Sequence, residues 1–230
     1  KLLGRLPRLQ FYPDAFLEQL YRSGPSLLLA VLIIHLIISA LIMHLLLPVP
    51  IESLGAAFAL IFGQQIPLLI CSGLAAIQSA GGTAQELFIY QQEQQLEFLQ
   101  SLRISSLDYV IIPRLLSSII MLPLLVVFAL AIGFGTATLM VIHHYGYITL
   151  NVPLFWNGAR SILSLHNLLW VLLKSSILGG TIAFVGCTWG LTPVKISDLA
   201  SPLRYRISTY AAISAWGIAL FLDLALSTTR

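Results

Sequence analysis

The sequence predicts an all-α integral membrane protein, with an N-terminal interfacial amphipathic helix followed by about five transmembrane helices. Three observations carry that prediction. Of 230 residues, 58% are hydrophobic and only 9% are charged, whereas soluble domains carry roughly 25% charged residues. Apolar runs of spanning length recur, and they are continuous rather than alternating, which favours helices over barrel strands. Lys and Arg also crowd onto alternate connections: Lys1, Arg5, Arg8 and Arg22, then Arg103 and Arg114, then Lys195, Arg204 and Arg206. The intervening connections carry only Arg160 and Arg230. Because basic residues concentrate on the cytoplasmic side of membrane proteins, the N-terminus is expected to be cytoplasmic and the C-terminus periplasmic.

Within RLQFYPDAFLEQLYRSG, Leu9, Tyr12, Phe16 and Leu20 recur at helical spacing, while Asp14, Glu18 and Arg22 occupy another face. Residues 1–24 are therefore expected to form a helix in the membrane interface, with a Glu18–Arg22 pair. They lack the apolar core of a cleavable signal peptide. Gly24-Pro25 is expected to turn the chain into residues 25–230, the transmembrane domain.

The spans are read as Pro25–Leu47, Leu54–Ala84, Ile111–Ile142, Leu168–Leu191 and Ile207–Leu226. The short PVPIES connection makes a tight hairpin of the first two. In the second, GQQIP places Gln64 and Gln65 near mid-membrane, one turn before Pro67, which frees a backbone carbonyl. Such glutamines either bind a neighbouring helix or line a cavity. Ser72, Ala76, Ala80 and Ala84 make a ridge for close packing, within the chain or against a second subunit. Pro123 is expected to kink the third span.

The next connection, residues 143–167, reads as an external loop whose Tyr145, Tyr147, Phe155 and Trp156 suit the interfacial belt. Adjacent His143 and His144 point to different faces, and no metal site is expected. Cys71 and Cys187 read as small buried hydrophobes. Lys174 and Asp223 fall at similar depth in the fourth and fifth spans. A charge there is costly unless compensated, so the two are expected to pair.

The chain has no G-x-x-x-x-G-K-S/T loop, so it holds no ATP through a P-loop of its own. It also lacks H-E-x-x-H and G-x-S-x-G, and nothing in it resembles a nucleophile beside a base. The net charge of +3 reflects the orientation bias and does not point to nucleic acid. The functional content is expected in a path through the membrane or in a docking partner.

One segment breaks the apolar pattern: YQQEQQLEFLQSL, Tyr90 to Leu102. On a helix, Leu96, Phe98, Leu99 and Leu102 share an arc of about 160°, opposite Glu97, Gln100 and Ser101. Ser105-Ser106-Leu107-Asp108 reads as a capping box that opens the next helix, and Arg103-Ile104 links the two. A helix with a compact apolar face between two spans is suited to a groove on another protein. The alternative, lying flat on lipid, is disfavoured by the lack of a Lys/Arg-rich polar face.

These features together resemble the MlaE-type permeases, the membrane subunits of MCE-associated lipid ABC transporters. Gln19-Leu20-Tyr21-Arg22-Ser23-Gly24 matches the end of the family's interfacial helix. Gln64-Gln65-Ile66-Pro67 stands for its Glu-Leu-Gly-Pro, and Thr83-Ala84-Gln85 for its Thr-Ala-Glu. Gln94 to Gln100 aligns with its coupling segment. Tyr109, Pro113-Arg114-Leu115-Leu116, Pro123-Leu124-Leu125, Lys174-Ser175 and Leu222-Asp223 continue the match across almost the whole chain. Departures are the glutamines at 64 and 85 in place of acids, Ala76-Ile77 for Gly-Arg, and Ile104-Ser105-Ser106 for Val-Asp-Pro.

The resemblance implies a permease subunit, not an enzyme, in a bacterial inner membrane, moving lipid between that membrane and the cell envelope. It implies as partners an ABC ATPase that carries the ATP and Mg²⁺, an MCE-domain protein, a second permease subunit and membrane lipid. The coupling segment would be residues 90–108, with Gln94, Leu96, Glu97, Phe98, Leu99, Leu102 and Arg103 facing the ATPase. Gln64, Gln65 and Pro67 would border the lipid cavity. The competing expectation is a structural or regulatory subunit that needs a different permease beside it.

Overall fold

The computed structural model describes residues 12–102, 107–145, 148–192 and 201–228. Among the described residues, the α-helices in chain order are α1 (Pro13–Ser23), α2 (Pro25–Leu46), α3 (Ile51–Ile61), α4 (Ile66–Ala75), α5 (Gly82–Gln92), α6 (Gln95–Ser101), α7 (Ile112–Tyr145), α8 (Ile148–Ile162), α9 (Leu165–Gly190) and α10 (Ser201–Thr228). Wider π-helical turns over Ala76–Gly81 and Leu107–Ile111 join α4 to α5 and open α7. No strand occurs among the described residues.

Among the described residues, five helical stretches are long and apolar enough to cross a membrane: Pro13–Leu46, Ile51–Gln92, Asp108–Tyr145, Leu165–Gly190 and Arg206–Ser227. The protein is an all-α, multi-pass membrane protein. At the expected turn, Gly24 separates α1 from α2. Gly24 keeps right-handed backbone angles (φ −90°, ψ −66°), and its N–H still donates to Leu20 O at 3.1 Å. The side chain of Arg22, expected to pair with Glu18, falls outside the described residues.

The core has two main parts. In one, α2, α4, α7, α9 and α10 bury Val31, Leu68, Cys71, Val126, Leu178, Ile182 and Ala219. In the other, Phe58, Phe62, Phe134, Phe155 and Trp156 meet around Met43. There Phe58 stacks on Phe62 with centroids 5.1 Å apart and takes Phe134 edge-on at 5.1 Å. Ser39 Oγ donates to Gly133 O at 2.6 Å and ties α2 to α7.

One expectation needs correcting, and one open alternative is decided. The connection read as an external loop contains α8, which packs along α3. Val152, Phe155, Trp156, Ala159 and Ile162 form its apolar stripe. Close approach is possible because a Cβ at Gly55 would overlap the Phe155 carbonyl, and one at Gly158 would lie 3.1 Å from Ala56 N. Asn151, Pro153 and Asn157 hid that stripe in the sequence. The small-residue ridge is also settled: Ser72, Ala76, Ala80 and Ala84 are all buried within the single chain. Gly186 of α9 meets Ala80, and Gly190 meets Ala84, so the ridge seats α9.

Candidate functional site

The second span is discontinuous. Residues Phe62–Gln65 form a turn between α3 and α4, and Gln65 has φ −127° and ψ −41°. The cause is local: Pro67, in the first turn of α4, lacks the N–H that would have bonded Gly63 O. No side chain caps the start of α4. Gln64 is half-buried, Gln65 exposed and Pro67 buried.

On the facing side, Ser164 caps α9 by accepting from the Asn167 N–H at 3.2 Å. Asn167 Nδ2 donates to Ile162 O at 2.7 Å. These bonds set the α8–α9 turn and bring Asn167, Trp170 and Lys174 opposite the break. The result is a pocket of about 150 Å³, lined by Gly63, Gln64, Gln65, Leu163, Asn167, Leu168, Trp170, Val171, Lys174 and Ser227. Pro67 is not among its lining residues. Lys174 Nζ lies 3.3 Å from Asp223 Oδ1, with the two side chains 9% and 17% exposed. Trp170 Nε1 is buried without a hydrogen-bond partner. A cavity of about 150 Å³ accepts a benzene-sized group, so this pocket fits a polar fragment and not acyl chains.

Among the described residues, neither Gln64 nor Gln65 hydrogen-bonds another helix, so the geometry favours pocket lining over interhelical bonding. Gln65→Leu is accordingly expected to change stability by no more than about 0.5 kcal/mol, read from thermal unfolding in detergent. A loss above about 2 kcal/mol would assign it an interhelical bond instead.

Sequence reading did not find the apolar groove of about 360 Å³ between α4 and α10. It is lined by Leu69, Ile70, Gly73, Leu74, Ile77, Ala212, Ile213 and Trp216. Gly73 faces the Trp216 indole. The only signal was a glycine in span two, and its aromatic neighbour lies far along the chain.

The polar segment splits into two helices. Gln94 sits between α5 and α6 with φ 54°, a left-handed conformation that non-glycine residues adopt at a cost of order 1–3 kcal/mol. Phe98 N–H then donates to Gln94 O at 3.0 Å. The expected single apolar face is divided. Leu96 and Leu99 pack inward against Leu87, Tyr90, Val110 and Cys187, whereas Phe98 and Leu102 are 64% and 54% exposed. Glu97 is exposed beside them. A seven-residue helix fastened at both ends has to turn part of its apolar arc onto its own bundle. Arg103 and the first two residues of the capping box, Ser105 and Ser106, fall outside the described residues, while its Asp108 is buried.

The same end of the bundle holds a buried charge that the sequence had grouped with the surface basics. Arg114 is 5% exposed. Its Nη2 donates to Glu86 Oε2 at 2.7 Å, and its guanidinium carbon lies 5.7 Å from the Tyr90 ring centre.

Most of this arrangement, apart from the α10 residues, falls within one family pattern. A family model described as "Permease MlaE" matches residues 16–201, from within α1 to the first residue of α10. The chain belongs to the MlaE permease family. This MlaE permease is thus a transmembrane subunit of the ABC transporter type. It is 27% identical over 141 residues to "Protein TRIGALACTOSYLDIACYLGLYCEROL 1, chloroplastic" of Arabidopsis thaliana, covering 61% of this chain and 39% of that protein. "Probable ABC transporter permease protein ycf63" of Porphyra purpurea is 26% identical over 198 residues, 83% of this chain and 73% of the relative. "Probable ABC transporter permease protein slr1045" of Synechocystis is 26% identical over 140 residues, 61% of this permease and 52% of the relative.

Proposed function

We propose that this MlaE permease is the membrane subunit of an ATP-driven phospholipid transporter, working between the bacterial inner membrane and the cell envelope. ATP and Mg²⁺ are held by a separate ATPase, an MCE-domain protein binds on the outer side, and a second permease subunit completes the path. The observation that carries the reading is the exposed Phe98–Leu102 edge. It lies between two spans of a chain that has no nucleotide-binding loop of its own. Hydrolysis on the partner would move α6, and α5 would pass that motion into the broken second span. The relative whose name contains a glycerolipid, and the pairing of a polar pocket with an apolar groove, support a lipid as cargo.

Co-expression with candidate ATPases tests this. Phe98→Asp places a charge in the docking edge and is expected to lower ATPase co-purification at least about tenfold, as for an interface hot spot. Leu99→Asp is expected to destabilise the permease itself, because Leu99 packs inward. If the ATPase still binds after both Phe98→Asp and Leu102→Asp, the coupling assignment fails. The glutamines at 64 and 85 favour one second reading, a structural subunit that requires a different permease. Lipid flux from vesicles holding this permease and the ATPase alone separates the two.

A further inference from the structure

At the end of the bundle opposite the Gln64–Gln65 pocket, α1 lies against the start of α7 and Tyr12 takes Tyr109 edge-on at 5.2 Å. Between them is a pocket of about 110 Å³, lined among others by Glu18, Gln19, Tyr90, Tyr109 and Arg114. Nothing in the transport reading uses it. Arg114 is almost wholly buried there. Glu86 takes its Nη2, and its Nη1 has no hydrogen-bond partner. A buried guanidinium N–H without an acceptor is costly, and a phosphate oxygen is the acceptor that a guanidinium fork fits best.

Charge then narrows the ligand. Glu86 already balances Arg114, and Glu18, an exposed carboxylate, adds a negative charge to the pocket rim. A net anionic headgroup meets repulsion from Glu18. A headgroup with its own ammonium does not, and tyrosine rings attract such a cation. The amphipathic α1 sets the depth, since a helix of this kind lies at headgroup level.

We propose that this pocket is a headgroup site for a zwitterionic phospholipid in the leaflet that carries α1. The phosphate accepts from Arg114, and the ammonium rests against Glu18 and Tyr109. It rests on the transport reading only for its role, which would be to hold lipid at an entrance.

The test uses the full chain in nanodiscs, without ATPase, and photoreactive phosphatidylethanolamine or phosphatidylglycerol. Cross-linked peptides are mapped by mass spectrometry. Phosphatidylethanolamine is expected to label residues 12–22 and 108–114 about fivefold more than phosphatidylglycerol, the size of one modest charge contact. Glu18→Lys, at an exposed position, is expected to reverse that preference. Arg114→Lys keeps a cation for Glu86 but loses the fork, and is expected to lower labelling by both lipids. Equal labelling in the unaltered chain, or an unchanged preference in Glu18→Lys, overturns the proposal. So does displacement of the label by millimolar inorganic phosphate, which would make free phosphate the ligand. Labelling is read without transport, so a failure of the ATPase reading leaves this result standing, and the reverse also holds.

Discussion

Lys174→Met is expected to destabilise the folded permease by about 3 kcal/mol, because it strands Asp223 inside the membrane. Both side chains are largely buried and lie 3.3 Å apart, so each charge leans on the other for most of its compensation. Asp223→Leu in the same chain is expected to recover most of the stability, and exchange of the two residues should recover part. Unfolding titrations in mixed detergent would measure these variants beside the Asp223→Leu single and the unaltered protein. If the double substitution costs the sum of the singles, the pair is not coupled. The pair also positions the pocket, because Lys174 lines it and Asp223 holds Lys174. Single substitutions should therefore reshape the pocket at Gln64 and Gln65 as well as lower stability.

Gly186→Val is the second large effect. A Cβ at Gly186 would lie 2.6 Å from Ala80 Cα and 2.8 Å from Ala80 O. Both are backbone atoms, so no side chain can swing aside and α9 has to move off the π-helical turn. Overpacking of this kind costs about 1–3 kcal/mol, and this contact belongs at the upper end because two helix backbones are involved. Lower yield of folded protein and a lower unfolding midpoint would be the readout. Gly82→Ala is the control. Nothing lies within 4 Å of a Cβ at Gly82, so that substitution is expected to be neutral or to stabilise by about 0.5 kcal/mol through helix propensity. A Gly186→Val protein as stable as Gly82→Ala would show that the α9 seat is not close-packed.

Some features were legible because they are properties of consecutive residues. The five spans follow from apolar runs, and the freed carbonyl near Gln64 follows from a proline placed one turn later. The polar segment between the second and third spans announced itself by composition. Others were illegible because they depend on which distant residues meet. The apolar stripe of α8 was interrupted by Asn151, Pro153 and Asn157, and only the Gly55–Phe155 approach shows why the segment is helical and packed. The helical wheel placed Leu96 and Leu99 with Phe98 and Leu102, but a wheel does not know which part of its arc faces the parent bundle.

By itself, then, the sequence determined an all-α membrane protein, its span order, a proline that frees a carbonyl in the second span and a charge at matching depth in each of two spans. Hydrophobicity and helical period act along the chain, and neither needs a partner to be read. Tertiary structure alone decided that the small-residue ridge seats α9, that two of the four apolar-face residues of the polar segment turn inward, and that Arg114 is buried beside Glu86 under α1. Each of those outcomes depends on close approach between helices far apart in sequence, where a missing Cβ or a single N–H selects the neighbour.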